Sequence, residues 1–375
     1  FNHFCYSISK QTNMKKWKTI NKFKVQSSKF KVAQVIGILL KNRGIKTKRE
    51  INEFLNPKLE NITTKNVGID NKQLQKAINR IKSAIKNKEK IVVFGDYDVD
   101  GVSSVSVLVW TLRNLHVPNV EVYLPDRYSE GYGLNIPAIE QFAKDGVTLL
   151  ITCDCGTSNV QEIARANELG INVIVLDHHK QAEKVPEAFA LLNPFFTDEK
   201  YPCKKLCSTG VAFKLATALY QAMEYGKGRL EKPLPAGWEK WLLDLVALAT
   251  VADMMPLLGE NRTFVHHGLT VLRKTRKPGL RSLVEVAGVV PEKATAGSIG
   301  FHLAPRLNAA GRIKHANAAL ELLTTENQEL AHELAAGLHA TNQERQQLTK
   351  RLYTEAMVQV DTTAALPPLI AVIGK

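Results

Sequence analysis

The spacing of apolar positions divides the chain near residue 91. Before it, Val32, Val35, Ile36, Leu39 and Leu40 recur at helical spacing, and Gly44 follows as a stop signal. A second stripe through Leu74, Ala77, Ile78, Ile81 and Ile85 predicts another amphipathic helix. Then the period changes. Ile91-Val92-Val93-Phe94 is a short, wholly apolar run closed by Gly95, the pattern of a strand buried on both faces of a parallel sheet. Three similar runs follow, Val120–Leu124, Leu149–Thr152 and Val173–Leu176, with helical stretches Val102–Leu115, Ile136–Lys144 and Val160–Leu169 between them. This alternation predicts an α/β fold with a doubly wound, mostly parallel sheet.

Beyond about residue 208 the pattern is mainly helical. Residues 211–223 and 239–252 are apolar and rich in Ala and Leu, and residues 326–360 form a long polar helix with no Gly or Pro after Gly337. Such a helix is expected to span between domains rather than pack within one. After Pro367-Pro368 a new apolar run, Leu369–Ile373, begins. The expected organisation is a basic, disordered tail over 1–30 and a helical segment over 31–90. A catalytic domain over 91–265 and a helical extension over 266–325 follow. A connecting helix over 326–360 then leads to the first residues of a further domain over 361–375. Residues 1–13 precede Met14 and read as tail or upstream read-through.

Composition narrows the class. A chain of 375 residues with 23% charged residues suits a soluble multidomain protein, and no run of about 18 apolar residues predicts a membrane span. Five cysteines are too few for a disulfide scaffold and suit the reducing cytoplasm. Cys153-x-Cys155 and Cys203-xxx-Cys207 match no common zinc spacing; in an extended segment the first pair points away from Asp154, as small buried side chains. Residues 1–90 hold 22 Lys and Arg against 5 Asp and Glu, whereas the remainder holds 28 against 31. A basic arm on a near-neutral body suits a polyanion, and equally a solvated lysine-rich face.

Candidate chemistry begins directly after the first strand, with Gly95-Asp96-Tyr97-Asp98-Val99-Asp100-Gly101. Ligands of doubly wound sheets bind at strand carboxyl ends. Three carboxylates this close repel one another, and a divalent cation with oxygen ligands is the simplest compensation. An EF-hand loop opens with the same D-x-D-x-D-G, but its position 12, which requires Glu, is Val107. A turn that merely caps a helix needs one Asp rather than three. Asp154 ends a second strand, where alone it would read as a helix cap, and Asp177-His178-His179 ends a third. Imidazole beside carboxylate suits Mn²⁺, Fe²⁺ or Zn²⁺ better than Mg²⁺. Asp253 closes an apolar helix, where the helix dipole disfavours an acid. Such a set predicts two metals, about 3.5–4 Å apart, that activate water and stabilise an in-line phosphoryl displacement. No nucleophile elbow, phosphate-binding Gly-Lys-Ser/Thr loop or dinucleotide glycine fingerprint competes.

The combination DYDVDG, CDCG, DHH and ATVADMMPL resembles the DHH phosphoesterase superfamily, and within it the bacterial single-strand-specific 5′ exonucleases. Residues 32–60, Arg127–Leu134 (RYSEGYGL), Ser208–Leu215 (STGVAFKL), Ala304–Ile313 (APRLNAAGRI) and Asn342-Gln343-Glu344-Arg345 are similar too, so the resemblance runs from about residue 30 onward. It implies that Asp98, Asp100, Asp154, His178 and Asp253 hold two Mn²⁺ or Mg²⁺ ions, with Asp154 bridging. It implies that His179 contacts the scissile phosphate, Asp177 orients the triplet, and Asp96 belongs to the catalytic motif. Arg306, Asn308 and Arg312 match a segment that binds nucleic-acid phosphates. Phe94 departs from the pattern, because many relatives place a His four residues before Asp98, so one metal is expected to have fewer protein ligands. The family's second core domain has only begun at Lys375, and its nucleic-acid-binding OB domain would lie beyond.

The implied activity is metal-dependent 5′→3′ hydrolysis of single-stranded DNA, in DNA repair and recombination. A single-strand-binding protein or a helicase is the candidate protein partner. Two other readings stay open. A phosphodiesterase of short oligonucleotides or cyclic dinucleotides is usually compact and lacks the N-terminal helices and APRLNAAGRI. An inactive nucleic-acid-binding scaffold would be expected to have lost ligands that are all present here.

Overall fold

The computed structural model describes residues 32–62, 70–180, 183–196, 205–224, 234–313, 315–361 and 372. The expectations for residues 1–30, for Cys5 and Cys203, and for most of 361–375 lie outside the described residues. Two compact units divide between Asn56 and Pro57. In the first, α1 (Val32–Asn42) carries the predicted apolar stripe, and α2 (Lys48–Leu55) follows it. Thr47 starts α2 with a reciprocal cap: its hydroxyl accepts from the Glu50 N–H at 3.1 Å, and the Glu50 carboxylate accepts from the Thr47 N–H at 2.8 Å.

In the second unit, α3 (Asn71–Asn87) precedes β1 (Lys90–Gly95), and Asp70 caps it through the N–H groups of Lys72 and Gln73. There follow α4 (Val99–Asn114), β2 (Val120–Tyr123), α5 (Ile136–Lys144), β3 (Val147–Cys153), α6 (Val160–Glu168) and β4 (Asn172–Leu176). A further strand, β5 (Ala190–Leu192), is too short for an apolar run to announce. The sheet is wholly parallel, in the order β2-β1-β3-β4-β5. Chain order therefore reverses between β1 and β3, which opens a crevice at their carboxyl ends.

Side chains of β1 alternate between two cores, as a strand's period of two requires. Ile91 and Val93 join the larger core, while Val92 and Phe94 join a smaller one with Ile139, Phe142, Ile163 and Val175. The larger core is capped by α4, buried almost all round, and by α7 (Ser208–Glu224) and α8 (Leu243–Ala252). The hydroxyls of Ser104 and Ser106 sit inside this core and are satisfied by the carbonyls of Asp100 and Val102, at 2.7 and 2.8 Å.

The helix expected over 239–252 is divided: Trp238–Leu242 is a 3₁₀ turn and α8 begins at Leu243. Beyond it come α9 (Gly259–Leu272), α10 (Pro278–Val286), the single turn α11 (Ala296–Ser298), a π-helical turn (Ile299–Leu303), α12 (Ala304–Ile313), α13 (Asn317–Thr324) and α14 (Gln328–Asp361). The last corrects an expectation. Its first half does not merely span: Ala331, Ala335, Leu338 and Asn342 form a narrow buried stripe where α14 packs on α10, α12 and α13. Small residues at this spacing let helices approach closely without a strong apolar signal. Only residues 346–355 are exposed throughout.

Candidate metal centre

The loop from Gly95 to Gly101 is held through backbone contacts. Asp96 donates its N–H to the Cys153 carbonyl at 3.1 Å, and a Cβ at Gly101 would collide with the Asp96 carbonyl oxygen. Asp98 caps α4, accepting from the N–H groups of Asp100 at 2.8 Å and Gly101 at 3.1 Å. Asp100 turns inward to another helix. Its carboxylate accepts from the Ser208 N–H at 2.7 Å, the Thr209 N–H at 2.9 Å and the Thr209 hydroxyl at 2.6 Å. The N-terminus of α7 thus stabilises a buried charge from a residue more than a hundred positions earlier. Val107, the residue that excluded an EF-hand, is core in α4.

Asp154 stands just past β3 with φ +65°, a left-handed conformation uncommon for residues other than Gly but tolerated by Asp. Its N–H is held by the Leu176 carbonyl at 2.9 Å. The extended geometry expected around the cysteines is therefore broken at this residue, although Cys153 and Cys155 are buried on opposite sides of the sheet as small apolar groups. Cys207 is buried too, and burial raises the pKa of all three thiols.

Asp177 organises the histidines. One of its oxygens accepts from the N–H groups of His178 and His179, at 2.7 and 3.1 Å, and lies 2.8 Å from His179 Nδ1; the other accepts from the Thr157 N–H at 3.0 Å. Burial alone would raise Asp177, but the His179 and Thr157 contacts outweigh it and hold the carboxyl below its ordinary range. In return the hydrogen bond to Asp177 raises the pKa of His179. Fixing one ring nitrogen fixes the ring's orientation.

His178 Nε2 is the meeting point: it lies 3.1 Å from Asp154 Oδ1, 3.6 Å from Asp253 Oδ2 and 3.7 Å from Asp100 Oδ2. Three overlapping groups, each with donor atoms within 4.8 Å of one another, emerge: Asp96, Asp98 and Asp154; Asp100, His178 and Asp253; and Asp154, His178 and His179. Asp154 is shared by two. Asp96 Oδ1, Asp154 Oδ1 and Asp253 Oδ2 are buried without hydrogen-bond partners. Leaving each such oxygen unsatisfied costs about 1–3 kcal/mol or more, a cost that coordination removes. Burial, and then the Asp98 charge, push Asp96 up to about 7, while burial, and then Asp100 and Asp98, push Asp253 up to about 7. Asp98 and Asp154 are raised by burial first and by neighbouring carboxylates second. The residues present fit divalent cations.

Phe94 faces away from this cluster. It is fully buried in the smaller core and stacks on Tyr123, with centroids 5.4 Å apart. Several supporting residues were given no role by the sequence. Tyr132 donates its hydroxyl to the Asp154 carbonyl at 2.8 Å, and Asn193 donates to the His179 carbonyl at 2.9 Å and to Thr157 Oγ1 at 3.0 Å. Ser208 and Thr209 lie in a segment noted only for its family likeness, which did not show that the start of α7 is aimed here.

Helix α12 packs directly on the carboxylate loop. A Cβ at Gly311 would stand 2.7 Å from the Tyr97 carbonyl oxygen, so only Gly allows the approach. Asn308 Oδ1 accepts from the Val99 N–H at 3.1 Å, pinning the first turn of α4 between Asp98 and Asp100. Arg306 bonds His339 Nδ1 at 3.1 Å and the His302 carbonyl at 2.6 Å, whereas the exposed Arg312 has its carbonyl bound by the Tyr128 hydroxyl. Neither arginine forms an ion pair among the described residues. Asn308→Ala is expected to weaken divalent-cation affinity roughly tenfold, the usual cost of losing a residue that orients a ligand. Titration calorimetry with Mn²⁺ checks this; unchanged affinity would detach α12 from the loop's geometry.

Comparison with known proteins places this geometry among relatives. The family described as "DHH family, N-terminal domain" matches residues 90–250. The single-stranded-DNA-specific exonuclease RecJ of Bacillus subtilis is 38% identical over 341 residues, 91% of this chain and 41% of that protein. A crystal structure of exonuclease RecJ bound to manganese is 33% identical, with a TM-score of 0.69, over 76% of this chain and 69% of that one. RecJ from Thermus thermophilus in complex with Mn²⁺ is 30% identical, with a TM-score of 0.71, over 86% of this chain and 44% of that one. The chain spans about half the length of the curated relatives it matches.

Proposed function

Because the chain belongs to the DHH family, in its RecJ branch, we propose that it hydrolyses phosphodiester bonds of single-stranded DNA from the 5′ end, with Mn²⁺ or Mg²⁺. The observation that carries this reading is Asp154, shared between two donor groups and buried with one oxygen unpartnered. Two bound cations would supply an activated water and charge neutralisation at the phosphate. Asp98, Asp100, Asp154, His178 and Asp253 would hold them, with Asp96 beside Asp98. His179 has Nδ1 engaged by Asp177, which leaves Nε2 to donate to an oxygen of the scissile phosphate. The hydrogen bond to Asp177 raises the pKa of His179, which favours the protonated ring.

Arg312, exposed one turn beyond Asn308, is proposed to meet the substrate backbone, because a guanidinium fork suits phosphate. Arg306 and Asn308 would support it from the same helix. A role in DNA repair and recombination, the cytoplasm as its place, and a single-strand-binding protein or helicase as partner follow from the resemblance. No helix among the described residues is long and apolar enough to cross a membrane.

Purified protein with Mn²⁺, offered 5′-labelled single-stranded and duplex DNA, is expected to release nucleotides from the single strand alone. Asp98→Ala is expected to be inactive. Activity on neither substrate, or equal activity in the variant, would overturn the reading.

A further inference from the structure

A cleft of about 330 Å³ opens beside His178 and His179, within the range of small-ligand sites, ~300–1,000 Å³. One wall is Phe195, whose side chain is left partly exposed beside the centre. Its N–H donates to Asn193 Oδ1 at 2.9 Å, and the same buried Asn193 donates to the His179 carbonyl at 2.9 Å. One side chain therefore fixes the aromatic wall relative to the histidine that faces phosphate. The wall formed by Met254 and Pro256 follows Asp253 directly. Met254 holds φ +55° and is 88% exposed, an uncommon backbone for a non-Gly residue and a costly place for a thioether. Lys180 and Lys205 line the cleft as well, both exposed and without an ion-pair partner among the described residues.

The chemistry of these walls is specific in combination. An aromatic ring and a polarisable thioether favour a flat, unsaturated ring. Two ammonium groups favour an anion, and the histidines place a phosphate at one end. An aliphatic ligand would leave the lysines unused, and a simple anion would leave Phe195 and Met254 bare. We propose that this cleft binds the nucleoside attached to the reacting phosphate: its base lies against Phe195 and Met254, and Lys180 and Lys205 meet the adjoining phosphate. The inference rests on the nuclease reading above and names what that centre recognises. Stacking tolerates every base, so the subsite selects for a base being present and unpaired rather than for its identity.

The test uses equilibrium binding, so that it does not depend on turnover. With Mn²⁺ present, deoxyadenosine 5′-monophosphate and deoxyribose 5-phosphate are titrated into the full chain, Phe195→Ala, Phe195→Trp and Lys205→Ala. The nucleotide is expected to bind the parent protein roughly tenfold more tightly than the sugar phosphate, the scale of one stacked base. Phe195→Ala should erase that preference and Phe195→Trp restore it, while Lys205→Ala should weaken both ligands together. Equal affinity of the parent protein for both ligands, or a preference that survives Phe195→Ala, overturns the proposal. DNA hydrolysis, measured separately, keeps the two readings distinct: a base preference without hydrolysis sinks the nuclease reading alone, and hydrolysis without a base preference sinks this one alone.

Discussion

Asp154→Asn is expected to abolish metal-dependent hydrolysis and, in the same protein, to make the metal-free fold more stable. The carboxylate sits 2% exposed among Asp96, Asp98, Asp100 and Asp177, and its pKa is raised by burial and then by those neighbours. An asparagine keeps the shape and the backbone contacts but removes a carboxyl whose charge is disfavoured by burial and by the neighbouring carboxylates. Relief of such a buried charge is worth about 1–3 kcal/mol. Against this, the shared ligand of two donor groups is lost. Activity should fall by about three orders of magnitude, equivalent to about 4 kcal/mol of transition-state stabilisation. Thermal unfolding in chelator and hydrolysis in Mn²⁺ measure the two effects. A variant destabilised without metal would show that Asp154 is structural rather than a ligand.

The second large effect is a reversal of pH dependence by metal. Asp96 and Asp253 stand at about 7 in the fold, because of burial first and neighbouring carboxylates next, against roughly 4 in an unfolded chain. Between those values the folded protein binds more protons than the unfolded one. Stability is therefore full at acid pH and lost as the pH climbs through about 7. His179, raised by its bond to Asp177, acts in the same direction. Discounted for partial solvation, the loss between about pH 5 and about pH 8 should be about 3 kcal/mol, a fall of roughly 5 °C in Tm. A cation needs the deprotonated ligands, so saturating Mn²⁺ should stabilise most at the alkaline end, by about 3 kcal/mol at a hundredfold excess over Kd. Calorimetric scans with chelator and with Mn²⁺ decide it. A metal-free protein that gains stability toward pH 8 would contradict the cluster as described.

How much of this was legible in the sequence depends on whether a feature is local. The runs ending in Gly95, Thr152 and Leu176 marked their strands because a parallel strand buried on both faces is apolar throughout, whereas the edge strand β2 was marked by Val120, Val122 and Tyr123 despite an exposed Glu121. The carboxylates and histidines were legible for the same reason: each ends a predicted strand or helix. The three-residue β5 was not, since nothing so short stands out from a loop. Nor were Asn193, Tyr132, Thr157 and Thr209, whose roles rest on hydrogen bonds across the fold. Asn308 shows the limit well. Its motif suggested phosphate binding, and only the folded chain reveals its oxygen engaged by the Val99 N–H. The long helix misled because its buried face pairs Ala331 and Ala335 with a single Leu338 and the polar Asn342, which barely register as an apolar stripe.

That bond between Val99 and Asn308 joins residues 209 positions apart, and Asp100 waits for Ser208 and Thr209 in the same way. Such distant pairings are made late and slowly in folding. During synthesis the acidic loop leaves the ribosome long before the partners that set its geometry. The acidic loop of a nascent or half-folded copy would thus lack the geometry that the finished fold gives it.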